Sequence, residues 1–242
     1  MSKHRKNQHH RAQRSRKAPV KYEAHEIAIV DHIARYVAPP AFVIHENESE
    51  IAHLDVHVVP PGPGRDYYFL FTTGMSALPM TKPCGAPGSR FAEVSLALPS
   101  FWQLDHGSLR GDPSWSWPII ELKSAALMSH RHKTWLGPGH TITSAPPGPF
   151  DPSTRLSSLL VMEPQLLPEP ARTVHIGNLD VDLLSVWPLY PEELAYRFDH
   201  GVEALVEALV HVGASDVMDV RRPSAARMGS FARDQMLSEC RT

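Results

Sequence analysis

The sequence contains very little cysteine, with only Cys84 and Cys240 among 242 residues. The two lie far apart and form no CxxC pair, which excludes a disulfide-rich scaffold and a thiolate zinc site. A reducing compartment is the simplest interpretation, and we therefore expect a cytoplasmic protein.

Long apolar runs are also missing. No stretch approaches the roughly 20 consecutive apolar residues that are needed to cross a bilayer. The N-terminus is basic, but it lacks the apolar segment of a signal peptide. We therefore expect no membrane partner. With 42% hydrophobic and 21% charged residues, the composition is that of an ordinary globular protein.

Acidic residues are absent from positions 1–18, which carry seven Lys or Arg. The rest of the chain holds 17 basic and 26 acidic residues, a net charge of −9. An acidic body repels phosphates, so the only nucleic-acid contact we expect is non-specific contact by the tail. Residues 1–20 have too few apolar groups to order themselves and are predicted to be a disordered basic tail.

Hydrophobic periodicity predicts alternating groups of helices and strands. "IAHLDVHVV" predicts a half-buried strand, with Leu54, Val56 and Val58 on one face and the polar residues on the other. The predicted helices cover 25–37, a segment from Pro118 to about His130, and 190–213 with a break at Gly201. The predicted strands cover 51–59, 67–73, 91–99, 156–163 and 180–187, with a further edge strand over "DVMDV" at 216–220.

This order contains no βαβαβ alternation and no internal repeat. It predicts an α+β fold, a single domain with a mainly antiparallel mixed sheet flanked by helices. No linker separates two cores, so we assign residues 21–222 to one domain and 223–242 to a weakly ordered C-terminal segment.

Catalytic and metal-binding motifs do not have the required spacing. His53 and His57 lie about 13 Å apart on the predicted strand, too far for joint metal ligation. "TTGMS" lacks the glycine pair of a nucleophile elbow. The prolines in "GPGRD" and "LGPGH" remove backbone N–H groups that a phosphate cradle needs. We therefore predict no catalytic residue, no metal ion and no cofactor.

Aromatic and acidic residues supply the candidate binding positions. Trp115, Trp117 and Trp135 flank the two ends of one predicted helix and could line one side of a groove. The alternative is that these tryptophans fix loops to the core. Asp180 and Asp182 share one face of a predicted strand, which is either a solvated face or a binding face.

Five stretches resemble, in this order, the suppressor of fused domain family in its bacterial form. They are "HLDVHVVPPGPGRDYYFLFTTGMSALPM", "FAEVSLALPSFWQL", "SWSWPIIELKSAA", "TWLGPGHTI" and "LLSVWPLYPEELAYRFDHGVEALVEAL". The resemblance covers most of residues 25–221. It implies a non-enzymatic protein-binding module, since animal members hold an extended peptide of a transcription factor as an added strand. Those members use a second domain for this clamp, and from the length of 242 residues we expect this chain to lack a complete clamp.

The resemblance also implies a position for the binding site. In the animal proteins an acidic residue before the histidine matching His140 contacts the peptide, and Gly139 stands at that position here. Bacterial members are associated with toxin immunity, so we expect a protein that binds and neutralises a toxin. The acidic body of the chain suits a basic toxin. The alternatives are a regulatory module for another cellular protein and a histidine-dependent hydrolase. The sequence does not identify the partner or the oligomeric state.

Overall fold

The computed structural model describes residues 20–45, 51–144 and 146–226. The predicted basic tail, except Val20, and most of the predicted weakly ordered C-terminal segment lie outside the described residues. The helices are α1 (Val20–Tyr36), α2 (His106–Gly111), α3 (Pro113–Arg131), α4 (Pro191–His200) and α5 (Val202–His211). The strands are β1 (Phe42–His45), β2 (Asp55–Val59), β3 (Tyr67–Thr73), β4 (Phe91–Pro99), β5 (Thr141–Thr143), β6 (Ser158–Met162), β7 (Thr173–Ile176) and β8 (Leu179–Leu189).

These eight strands form one sheet in the order β1-β2-β3-β4-β8-β6-β5. β7 pairs with the first residues of β8, on the same side as β6. Only the β4–β8 pairing is parallel among the described strands, and the other six are antiparallel. The prediction of an α+β domain with a mainly antiparallel mixed sheet flanked by helices is confirmed.

Helices cover both faces of the sheet. α3 packs on one face, where its Leu122 and Ala126 join Val56 and Val94 in the largest hydrophobic cluster. α1 covers the opposite face beside β2, β3 and the first half of β8. α4 and α5 lie on this second face too, because Leu205 and Leu209 pack on the odd-numbered residues at the end of β8.

The prediction that β2 is half-buried is wrong. All five residues of β2 are buried, including Asp55 and His57. Their face of the strand is covered by α1, whose Ile29 and Ile33 pack in the same cluster as Phe71. Alternation in the sequence identified the two faces correctly, but it could not indicate that a helix covers the polar one.

Several elements also differ from the prediction, and α1 begins at Val20 rather than at residue 25. α3 begins at Pro113 rather than Pro118, because the Asp112 side chain accepts a hydrogen bond from Ser114 N and caps the helix there. The predicted edge strand over 216–220 is a single bridge between Val217 and Ala97. The predicted break at Gly201 is confirmed, since this residue has φ +90° and separates α4 from α5.

Within the described residues, no helix combines the length and the apolar character that a membrane crossing requires.

Candidate functional site

The turn formed by Gly137, Pro138 and Gly139, here called the GPG turn, follows the end of α3. A Cβ on Gly137 would lie 2.6 Å from the Trp135 ring, so only glycine fits beneath this indole. Gly139 has φ +86°, a conformation that favours glycine. The rings of Trp135 and His140 meet edge to face with centroids 4.4 Å apart. The glycines and both aromatic residues of "TWLGPGHTI" therefore shape one compact turn.

The GPG turn leads directly into β5, which is an edge strand. β5 pairs with β6 from Thr141 to Thr143, and no other strand in the described residues pairs with it. Arg197 of α4 donates a 2.9 Å hydrogen bond from Nη2 to the Gly139 carbonyl oxygen. The start of this edge strand is thus held in place by both a strand and a helix.

An acidic cleft lies beside the GPG turn, in the gap along β8 between the end of β6 and the start of β7. Its inner part has a volume of about 440 Å³ and is lined by Gly137 and Pro138 on one side and Asp182 on the other. An outer part of about 700 Å³ shares Asp182 with it. The ionisable residues other than histidine that line the two parts are Glu163, Glu169, Asp180, Asp182, Arg90 and Arg172. Arg172 pairs with Glu163 at 3.1 Å between Nη1 and Oε2. The other three carboxylates outnumber Arg90, so the cleft favours positively charged side chains.

The structure brings some of the candidate residues together at this cleft. Asp182 accepts a 2.6 Å hydrogen bond from Ser89 N, and Asp180 pairs with His175 at 2.7 Å between Oδ1 and Nδ1. Asp180 is exposed and Asp182 is partly exposed. Asp180 and Asp182 therefore line the cleft, and Asp180 is also exposed to solvent.

Trp115 and Trp117 do not line this cleft. Trp117 is buried and stacks on Phe150 with ring centroids 5.5 Å apart. The Trp102 indole donates a 2.9 Å hydrogen bond to the Trp115 carbonyl oxygen and meets the Trp115 ring edge to face. These two residues join an aromatic cluster at the start of α3, whereas Trp135 lies beyond the other end of that helix. This arrangement matches the alternative in which the tryptophans fix loops to the core.

The "TTGMS" stretch, residues 72–76, donates hydrogen bonds to the buried carboxylate of Glu93 in β4. Glu93 accepts hydrogen bonds from Thr72 Oγ1 at 2.6 Å, Gly74 N at 3.0 Å, Ser76 N at 2.9 Å and Ser76 Oγ at 2.6 Å. Burial raises the pKa of Glu93, and the donated hydrogen bonds oppose that rise. His25 Nε2 lies 3.2 Å from Ser76 Oγ. The Ser76 hydroxyl is buried, and its hydrogen bond to Glu93 connects the turn to β4.

A second buried carboxylate belongs to "PLYPEEL". Glu193 is fully buried and forms a bidentate ion pair with Arg222. It also accepts hydrogen bonds from Tyr190 N at 2.9 Å and Ala225 N at 2.8 Å. The carboxylate thereby caps α4 and fixes the last described segment of the chain, whose packing continues to the buried Ala225.

Asp216 was not among the residues that the sequence singled out. Its carboxylate accepts hydrogen bonds from Trp187 Nε1 at 2.6 Å, Ser185 Oγ at 2.9 Å and Leu166 N at 2.7 Å. Asp216 lies beside β4 just beyond the last β4–β8 pair, Ser95 with Ser185, and Ala97 N donates a hydrogen bond to its carbonyl oxygen. A lone aspartate in a short segment carries no sequence signal for such a role.

The histidine positions also differ from the sequence-based expectation. His53 precedes β2 and lies 3.4 Å from Asp55, whereas His57 lies within β2 and stacks on Phe71. His45 of β1 joins His53 and Asp55 in the one group of at least three potential metal ligands among the described residues. The sequence spacing did not predict this group, because strand pairing assembles it.

The comparisons with known proteins agree with the motifs. The sequence profile described as Suppressor of fused protein (SUFU) matches residues 51–223. The chain belongs to the suppressor of fused family. Among curated proteins, none matches the chain significantly.

Solved structures of suppressor of fused proteins share this fold. A SUFU homologue from Neisseria gonorrhoeae superposes with a TM-score of 0.62 at 14% identity, over 84% of this chain and 97% of that one. The structure of a Sufu–Fu complex gives a TM-score of 0.60 at 15% identity, over 84% and 93% of the two chains. Drosophila Suppressor of Fused gives 0.60 at 13% identity, with 89% of this chain matching 54% of that protein. This chain therefore corresponds to about half of the Drosophila protein.

Proposed function

We propose that this suppressor of fused family member is a non-enzymatic protein-binding module that accepts an extended segment of a partner at β5. The observation that carries the proposal is the position of this edge strand. β5 begins at the GPG turn, and the same turn forms one wall of the acidic cleft. A peptide that pairs with β5 and continues past the turn would place its side chains in the cleft.

The physical basis is strand addition. Main-chain hydrogen bonds to an unpaired sheet edge supply affinity, and neighbouring pockets supply selectivity. β5 has only three residues, so its edge alone offers few hydrogen bonds. The acidic cleft adds the charge selectivity that such a short edge lacks, and it favours a peptide with Lys or Arg beside the pairing segment.

A related structure supports a protein partner. The Sufu–Fu complex shows a protein of this fold crystallised with another protein. At 15% sequence identity, the similarity extends to the fold and does not locate the binding surface on this chain. Trp135, Gly139 and His140 enter the proposed site by shaping the turn, and Asp180 and Asp182 enter it by lining the cleft. Trp115 and Trp117 lie elsewhere, and any role in binding would concern a second contact.

We further propose a basic toxin as the partner, which would make the chain a bacterial immunity protein acting in the cytoplasm. The support is electrostatic, since the chain outside residues 1–18 has a net charge of −9. Opposite charge accelerates the encounter of two proteins. A regulatory role toward another cellular protein is the alternative, and the identity of the captured partner decides between them. The histidine-dependent hydrolase receives no support from His140 of the GPG turn, because its ring is in edge-to-face contact with Trp135.

The binding experiment uses two pairs of matched variants of the full chain. The partner is first purified from the native host with the wild-type protein and identified by mass spectrometry. Its affinity is then measured by calorimetry for Thr143→Pro and Phe42→Pro, which place proline at exposed positions of the edge strands β5 and β1. Glu169→Lys reverses a charge in the cleft, and Glu207→Lys reverses an exposed charge on α5.

We expect Thr143→Pro and Glu169→Lys each to weaken binding by at least about tenfold, which corresponds to about 1.4 kcal/mol. Phe42→Pro and Glu207→Lys are expected to bind like the wild type. Thermal melting confirms that each variant is folded. The β1 edge borders a groove of about 840 Å³ against α3. If Phe42→Pro abolishes binding while Thr143→Pro does not, the partner occupies that groove and the proposal for β5 is wrong.

A further inference from the structure

Three potential metal ligands converge at the end of β1 and the start of β2. His45 Nδ1 lies 2.9 Å from Asp55 Oδ1, and His53 Nε2 lies 3.4 Å from the same oxygen. All three ligand atoms lie within 4.8 Å of one another. The Asp55 side chain is 4% exposed, whereas the imidazoles of His45 and His53 are 61% and 51% exposed.

The pairing of β1 with β2 produces this arrangement. His45 is the last residue of β1 and stands directly opposite Asp55, the first residue of β2. His53 lies two positions before Asp55, so its side chain leaves the backbone on the same side. Lys123 of α3 donates a 3.2 Å hydrogen bond from Nζ to the His45 carbonyl oxygen and fixes the end of β1.

The distances suit a tetrahedral zinc ion. Zinc binds imidazole nitrogen and carboxylate oxygen at about 2.0–2.2 Å, and two ligands of a tetrahedron are then about 3.3 Å apart. The distances from His45 Nδ1 and His53 Nε2 to Asp55 Oδ1, 2.9 and 3.4 Å, lie on either side of that value. Two imidazoles and one carboxylate also form a ligand set that zinc commonly takes, with one position left open.

The surroundings favour a cation as well. Glu26 of α1 lies 3.4 Å from His57, the residue two positions after Asp55 on the same face of β2. Two carboxylates, Asp55 and Glu26, therefore face this corner of the sheet. A divalent cation would neutralise them where the buried Asp55 has little access to water.

We propose that His45, His53 and Asp55 form a binding site for a divalent transition-metal ion, with Zn²⁺ as the best match. None of the described residues fills the fourth position of the ion, which accepts a water molecule or a further side chain. The bound ion links β1 to β2 and stabilises this edge of the sheet. Without an ion, His45 forms a hydrogen bond and His53 an ion-pair contact with the same carboxylate oxygen, and the metal titration distinguishes these two states.

The titration uses the full chain without an affinity tag. His4, His9 and His10 are replaced by asparagine in every sample, because tail imidazoles bind metals on their own. Zn²⁺ is added as its chloride in competition with a chromophoric chelator, and Co²⁺ is added separately to record the visible absorption of a tetrahedral site. His45→Ala and His53→Ala test the exposed ligands, and Asp55→Asn tests the buried one.

His175→Ala is the matched control. His175 is also exposed and pairs with an aspartate, Asp180, at 2.7 Å, but no third ligand from the described part of the chain joins them. We expect one Zn²⁺ per chain in the tail-substituted protein and in His175→Ala. Loss of a residue that only supports the ligands of a metal site weakens metal binding by about 10–100-fold. His45→Ala and His53→Ala remove a ligand itself and are expected to weaken Zn²⁺ binding by more than this.

Thermal melting gives a second readout. Zn²⁺ is expected to raise the melting temperature of the parent protein and of His175→Ala, but not that of His53→Ala. Because His45 and His53 are exposed, their alanine variants are expected to fold even if Asp55→Asn does not. If the parent protein shows no saturable Zn²⁺ binding, or if His45→Ala and His53→Ala bind Zn²⁺ as the parent does, the proposal is wrong.

Discussion

The Ser76 hydroxyl donates a 2.6 Å hydrogen bond to the buried carboxylate of Glu93. This contact joins the "TTGMS" turn to Glu93, the third residue of β4. Gly74, which has φ +110°, donates its N–H to the same carboxylate. Burial raises the pKa of Glu93, so the folded protein binds this proton more readily than the unfolded chain does.

The first prediction concerns the pH dependence of stability. Because the folded-state pKa of Glu93 is raised, its contribution to stability is complete below the unfolded pKa of about 4.3 and decreases as pH rises through the folded pKa. We expect the unfolding free energy of the wild type, relative to Glu93→Gln, to fall between about pH 4 and the folded pKa. Urea denaturation of both proteins across this range measures the difference. A difference that increases with pH would contradict the assigned direction.

The second prediction concerns the buried ion pair of Glu193 with Arg222. Arg222→Met removes one partner and leaves a fully buried carboxylate, which costs about 3–5 kcal/mol. The double variant Glu193→Gln with Arg222→Met leaves no unpaired charge and is expected to be more stable than Arg222→Met alone. Urea denaturation of both variants tests this order. Equal stability of the wild type and Arg222→Met would show that the pair contributes nothing.

The third prediction concerns Asp216. Asp216→Ala leaves the Trp187 indole N–H and the Ser185 hydroxyl without their acceptor, and we expect a loss of about 2–4 kcal/mol. Asp219→Ala is the control, because Asp219 is exposed and lies three residues away. It is expected to change the unfolding free energy by no more than about 0.5 kcal/mol. Chemical denaturation followed by tryptophan fluorescence measures both, and similar losses in the two variants would refute the role of Asp216.

The fourth prediction concerns the GPG turn. A methyl group at Gly137 would lie 2.6 Å from Trp135, so Gly137→Ala must displace the indole and is expected to cost about 1–3 kcal/mol. Gly148→Ala is the control, because nothing lies within 4 Å of a Cβ there. Thermal melting compares the two variants. If Gly137→Ala has the same melting temperature as Gly148→Ala, the close contact with Trp135 does not determine the conformation of the turn.

Sequence periodicity was sufficient for the main elements of the fold. Alternating residues in β2 and the aromatic run of β3 predicted a hairpin, and the structure pairs Val58 with Leu70 in this hairpin. Gly201 predicted the break between α4 and α5. The order of helices and strands along the sequence predicted a mainly antiparallel sheet. Each of these elements was recognised from its own hydrophobic periodicity, which is a local property of the sequence.

Contacts between distant segments could not be predicted in this way. Asp55 and His57 occupy the polar face of an alternating strand, and only the packing of α1 on that face buries them. Asp182 reaches the GPG turn because β8 runs beside β6, a pairing that no local signal specifies. For the same reason His45 and Asp55 are ten positions apart in sequence and 2.9 Å apart in the structure.

The measurement that tests the central claim most directly is hydrogen–deuterium exchange of the full chain with and without its purified partner. If a segment of the partner adds to β5, amide protection increases over Thr141–Thr143 and along the cleft at Thr173–Ile176, while β1 at Phe42–His45 exchanges as in the free protein. The contradictory result is unchanged exchange in β5 together with new protection in β1, which would place the partner at the opposite edge of the sheet.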